Sequence, residues 1–120
     1  MADKGSLGRD FKYSKKEGVL IYAVVTGSVA VSSYLIGLRN LDLDQKDKKG
    51  RTPLYIAAEK GASVITRMLL EGGADVIARG GHYGNALQAA LAKDHKEIVT
   101  MLLDKVANVN TQGGSYGNAL

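Results

Sequence analysis

The sequence predicts an all-α solenoid of stacked helix–turn–helix units joined by turns. Three observations carry that prediction. "GGHYGNAL" at Gly80–Leu87 returns as "GGSYGNAL" at Gly113–Leu120, with seven of eight residues kept 33 positions later. The same step lays "NALQAALAKDHKEIVTMLLDKVANVN" over "TPLYIAAEKGASVITRMLLEGGADVI". It pairs Leu54 with Leu87, Ala57 with Ala90, Ile65 with Ile98, Met68 with Met101, Leu69 with Leu102, Ala74 with Ala107 and Val76 with Val109. Within each period, cap and breaker residues bracket two short apolar runs at helical spacing. A fixed period of this length marks a repeat architecture, in which each unit buries its apolar face only against its neighbours.

The units follow in order. Residues 1–17 form a polar, basic arm with five Lys or Arg against three acids. It lacks the short charged start and small-residue cleavage site of a secretory signal. Next comes "GVLIYAVVTGSVAVSSYLIGL", Gly18–Leu38, 21 residues without a charge. Its length meets the rule for a membrane-spanning helix, about 20 apolar residues. Ser28 and Ser32 also have the small-residue spacing that packs helices in lipid. Three glycines and four hydroxyl residues weaken insertion, and lysine or arginine on both flanks favours no orientation. A step of 34 lays Leu20–Gly27 over Leu54–Gly61 and Tyr34–Ile36 over Met68–Leu70, with one extra residue near Gly37–Leu41. The stretch is therefore expected to be a helix, a turn at Gly27–Ser28 and a second helix, not an anchor. Its apolar character leaves an outer face in need of a cover, either the arm through Phe11 and Tyr13 or something else.

The second unit spans about residues 51–83. Thr52 is a good N-cap, and Pro53 fits the first helical position, where its missing N–H costs nothing. Ala57 and Ala58 keep this helix slim, and Gly61 ends it in the left-handed conformation open to glycine. Ser63–Leu70 forms the second helix, with Ile65, Met68 and Leu69 on one face, and Gly72 and Gly73 close it. The third unit, about 84–116, opens at Asn85 with Gln88 at capping-box spacing. A fourth is truncated at 117–120.

"GRTPLYIAAEKG" and "DHKEIVTMLLD" resemble the ankyrin repeat, a turn followed by a helix opened by Thr-Pro-Leu-His and a second helix rich in Val and Leu. The resemblance covers about Leu20 to Leu120. The variant "GG-x-YGNALQAA" is similar to repeats of large fungal ankyrin proteins, some carrying a signalling nucleotide-binding domain that is not present here. The resemblance implies a non-enzymatic module for protein–protein interaction, held through the turn tips and the inner face of the first helices. Carried over residue by residue, the tips are Lys48, Lys49 and Arg51, then Arg79, His82 and Tyr83, then Gln112, Ser115 and Tyr116. The inner positions are Tyr55 and Glu59, then Gln88 and Ala92. Tyr83 and Tyr116 stand in the place of Gly50, so packing and partner contact are both open to them. Two alternatives remain: a fragment of a larger fungal signalling or incompatibility-type protein whose repeats regulate a missing effector domain, and a membrane-attached ankyrin protein.

The residues offer no other chemistry. Cysteine is absent, which removes disulfides, thiolate metal sites and a cysteine nucleophile and fits a reducing, cytoplasmic compartment. His82 and His95 are the only histidines: His82 is a turn residue and His95 a structural one at the repeat's Gly-His position. They make no recognised metal site. "ARGGHYG" lacks the Lys-Ser/Thr ending of a phosphate-binding loop, and a single "RGG" is too little for an RNA-binding segment. Asp42, Asp44 and Asp47 lack the downstream glycine and glutamate of a calcium loop and are read as turn carboxylates. With one phenylalanine and no tryptophan there is no stacking platform for nucleic acid. No catalytic residue, cofactor or metal is expected, and no nucleic acid; the expected partner is a protein. The net charge of +4 tolerates an acidic one, and "KDKKGR" at Lys46–Arg51 favours it.

Overall fold

The computed structural model describes residues 16–112, and the side chains of residues 18–108. Three helix pairs follow one another: α1 (Lys16–Thr26) with α2 (Val29–Gly37), α3 (Pro53–Lys60) with α4 (Ser63–Glu71), and α5 (Ala86–Ala92) with α6 (Lys96–Gln112). Among the described residues there is no strand. First helices pack on first helices, α1 on α3 on α5, and second on second, α2 on α4 on α6. The core runs as one seam between the two layers, through Leu20 and Val24, Leu54 and Ile56, Ile65 and Leu69, and Ile98 and Leu102.

The uncharged stretch Gly18–Leu38 is a hairpin. Gly27 takes φ 80°, and Ser28 caps α2 by accepting the Val31 N–H at 3.2 Å. No helix among the described residues is long and apolar enough to cross a membrane. Thr52 Oγ1 accepts the Tyr55 N–H at 3.1 Å, with Pro53 at the first helical position. Asn85 Oδ1 accepts the Gln88 N–H at 2.8 Å. These bonds satisfy donors that every helix start otherwise leaves orphaned.

Two left-handed positions recur along the stack. Each first helix ends on one: Gly27 at φ 80°, Gly61 at 81°, then Asp94 at 63°. Arg39, at φ 68°, and Gly73, at 101°, likewise turn the chain after α2 and α4. The third unit breaks this second rule. Val106 stands at the place of Gly73, and a β-branched residue strongly resists the left-handed region. The helix therefore runs on to Gln112. Ala107 and Val109 consequently lie in helix, whereas their repeat partners Ala74 and Val76 are buried in the loop after α4. The sequence alignment of those two pairs does not carry over into equivalent structure.

Repeat-equivalent positions differ in burial at the two ends. Ala58 is fully buried against α5 while Leu91, at its place one unit on, is 51% exposed; Leu70 is 6% exposed and Leu103 51%. At the other end Val31 and Tyr34 are exposed where Ile65 is buried and Met68 half-buried. Phe11 and Tyr13, expected as a cover for that first face, lie outside the described residues.

Candidate protein-interaction surface

The loop ahead of α3 is organised by Asp47. Its Oδ1 accepts the N–H groups of Lys49 and Arg51, each at 2.9 Å, and its Oδ2 accepts Arg51 Nε at 2.8 Å. Aspartate at the first and glycine at the fourth position suit a tight turn, and here Gly50 takes φ 81°. Burial pushes the Asp47 carboxyl up, but the Arg51 and Lys49 N–H groups and the Arg51 guanidinium outweigh it and hold the carboxyl below its ordinary value. Arg51 also reaches Glu59 on α3, with Nη1 4.0 Å from Oε1. Lys48 and Lys49 remain exposed at the tip.

The next loop stacks its backbone directly on this one. A Cβ placed on Gly80, φ 147°, would stand 1.9 Å from the Gly50 carbonyl oxygen; one on Gly81, φ 80°, would stand 2.5 Å from Tyr55 Cζ. Both glycines are needed for close approach as well as for conformation. Tyr55, 2% exposed, rises from α3 beneath this loop, and its hydroxyl accepts the Tyr83 N–H at 2.9 Å. The Tyr83 ring meets His82 edge-on, with ring centres 4.7 Å apart. Arg79 and His82 are exposed and Tyr83 is half-buried.

The expected site residues therefore fall into three groups. Lys48, Lys49, Arg79, His82, Gln88 and Ala92 are exposed. Arg51, Glu59 and Tyr83 are half-buried and tied to neighbours. Tyr55 corrects the reading from sequence: an inner helical position was expected to face a partner, but the following loop covers it, and its hydroxyl is engaged within the fold. It supports the surface from beneath. Tyr83 takes a packing role through its backbone and ring. Gln112 ends α6, with its side chain outside the described residues, as are Ser115 and Tyr116 altogether. Asp47, the residue that builds the first tip, was legible only as a turn carboxylate; the Asp-Lys-Lys-Gly spacing was its signal.

His95 is structural. Its Nε2 lies 3.0 Å from the Glu59 carbonyl oxygen, and its ring lies against Gly61, where an added Cβ would fall 2.7 Å from Cε1. Asp42 and Asp75 accept the N–H groups two residues on, at 2.9 and 3.0 Å, and Asp44 Oδ1 accepts the Asp75 N–H at 2.8 Å, stitching two units together. Among the described residues no group of three or more His, Asp or Glu is placed to hold a metal ion. A cleft of about 360 Å³ lies away from the tips, at the C-terminal ends of α2 and α4, lined by Ile36, Arg39, Leu43, Met68 and Glu71 among others.

Stacked helix pairs with glycine-bearing tips and a Thr-Pro-opened first helix in the second unit define a helical repeat solenoid. The family model "Ankyrin repeats (3 copies)" matches residues 4–80 and 20–113, and the chain belongs to the ankyrin-repeat family. It is 44% identical over 46 residues to delta-latroinsectotoxin-Lt1a of Latrodectus tredecimguttatus, covering 38% of this chain and 4% of the toxin. It is 35% identical over 78 residues to the potassium channel AKT2/3 of Arabidopsis thaliana, covering 65% of this chain and 10% of the channel. The chain thus spans a small part of these relatives. Ankyrin repeats are generally protein-interaction modules, and the family is typically non-enzymatic.

Proposed function

We propose that this chain is a non-enzymatic interaction module that holds a protein partner across its turn tips and the inner face of its first helices. One observation carries the reading. The tips of two successive units are fixed backbone to backbone at Gly50 and Gly80 and propped by Tyr55, yet Lys48, Lys49, Arg79 and His82 stay exposed on them. A rigid backbone presenting exposed side chains binds with little ordering cost. The cysteine-free composition fits a place inside the cell. The test is capture of a partner by the intact chain, compared with two variant sets. Alanine at His82 together with charge reversal at Lys48 and Lys49 weakens capture; changes at Arg67 and Thr100, on α4 and α6, leave it intact. The opposite pattern places the partner on the outer helices.

A second reading is supported by the ends of the stack. Leu91 and Leu103 are exposed where the preceding unit buries Ala58 and Leu70, and the chain covers 4% and 10% of its relatives. In this reading the repeats are part of a longer array, of the fungal type that the "GG-x-YGNALQAA" motif resembles, governing an effector domain elsewhere in the protein. A chain extended by further repeats then has a higher unfolding midpoint than residues 1–120 alone.

A further inference from the structure

We propose that the partner segment seated on the tips is an acidic stretch of polypeptide, an inference that rests on the tip surface proposed above. Asp47 is the acid nearest in sequence to the lysines of the first tip, and it is taken up internally. Both its oxygens are engaged by Arg51 and by the turn N–H groups. Lys46, Lys48 and Lys49 are left exposed, and among the described residues none of them is in an ion pair. Arg79, exposed and likewise in no ion pair among the described residues, precedes Gly80, whose backbone rests on Gly50 next to Lys49. The close approach of the two loops thus brings cations of successive units onto one ridge. The acids of the same loops are turned elsewhere: Asp42, Asp44 and Asp75 direct oxygens onto backbone N–H groups, and Glu59 faces Arg51. Arg51 is largely spent on Asp47, so the ridge offers lysine ammonium groups and the single guanidinium of Arg79.

The chemistry favours a peptide over the other polyanions. Single-stranded nucleic acid needs aromatic faces for its bases, and the one tip ring here, Tyr83, is half-buried against His82. A membrane surface needs a broad positive field, whereas the net charge is only +4, with acids distributed through the same loops. A ridge two units long fits a short acidic segment reading successive units. Contacts of this kind raise the encounter rate and are sensitive to salt.

The probe is a labelled Glu/Asp-rich peptide, compared with its Gln/Asn counterpart, single-stranded RNA and phosphatidylserine vesicles, each titrated against the whole chain. The acidic peptide should bind and the amide peptide should not, with affinity falling between about 50 and 300 mM salt as screening shortens. Lys48→Glu, Lys49→Glu and Arg79→Glu together should weaken binding by about tenfold or more, three modest exposed pairs acting jointly. An equal change of charge away from the tips, at the C-terminal ends of α3 and α5 and the start of α6, Lys60→Glu, Lys93→Glu and Lys96→Glu, should leave it within about twofold, since the effect of exposed charges falls off with distance through salt screening. Circular dichroism checks that both triples remain folded. If the tip triple unfolds, the salt dependence of the unaltered protein and the amide peptide decide instead. Equal binding of the amide peptide, equal loss in the control triple, or preference for RNA or vesicles overturns the proposal. A protein partner that cross-links at position 82 but binds the tip triple unchanged refutes the acidic inference and leaves the tip surface standing. Failure of both cross-link and peptide removes the two together.

Discussion

Replacing Tyr55 with phenylalanine removes one oxygen and leaves the ring that fills the space above Gly81. That oxygen accepts the Tyr83 N–H at 2.9 Å, and Tyr55 itself is 2% exposed. Losing a neutral hydrogen bond costs about 1 kcal/mol net, and up to about 3 where the remaining donor is fully buried. Tyr83 is half-buried, so water can reach part of the orphaned group. The expected cost is therefore at the lower end, about 1 kcal/mol. For a chain of 120 residues that lowers the thermal midpoint by roughly 4 °C. The slope of a urea transition should not change, because the surface exposed on unfolding is the same. Amide exchange at Tyr83 should accelerate by about fivefold, the equivalent of the same free energy. An unchanged midpoint together with unchanged Tyr83 exchange would refute the reasoning that Tyr55 props the second tip.

Three further outcomes follow from the same contacts. Asp47 has its carboxyl held below its ordinary value of 3.8, so its contribution to stability is complete above that value and is lost as pH falls through the lower folded one; the midpoint of Asp47→Asn should fall less steeply with acid than that of the unaltered chain. Ser28 and Ser32 sit one turn apart with opposite roles: Ser28→Ala loses the cap to Val31 and costs about 1 kcal/mol, whereas Ser32, fully buried with no hydrogen-bond partner for its hydroxyl among the described residues, should tolerate alanine with an equal or higher midpoint. Asp94 occupies at φ 63° the position that Gly27 and Gly61 hold in the earlier units, so Asp94→Gly should stabilise by up to about 1 kcal/mol, read by urea unfolding.

What the sequence revealed was local and periodic. Thr52, Pro53, Gly61 and Asn85 act where their chemistry placed them, because a cap or a left-handed turn is decided within a few residues. The uncharged opening stretch resolved into a hairpin through its register with the later units, since composition alone also fitted a single long helix. The failures arose where a neighbouring unit or a lost breaker intervenes. Tyr55 looked like a surface residue because its burial depends on the loop of the following unit closing over it. The repeat register pairs Ala74 and Val76 with Ala107 and Val109, but Val106 does not replace the left-handed Gly73, and α6 runs on through Ala107 and Val109. The signal was present in that substitution. Asp47 was seen as a turn carboxylate but not as the organiser of the tip, because its bonds to Arg51 depend on how the loop closes.

The most direct test of where this module binds is site-specific photocross-linking of the folded chain in native lysate, with the cross-linker placed in turn at Lys49, His82 and Arg67. The tip surface predicts the same defined protein adduct from positions 49 and 82 and none from position 67; loss of that adduct in the Lys48→Glu, Arg79→Glu background is what the acidic-segment proposal adds. An adduct from position 67 alone would contradict it and move the partner to the second-helix layer.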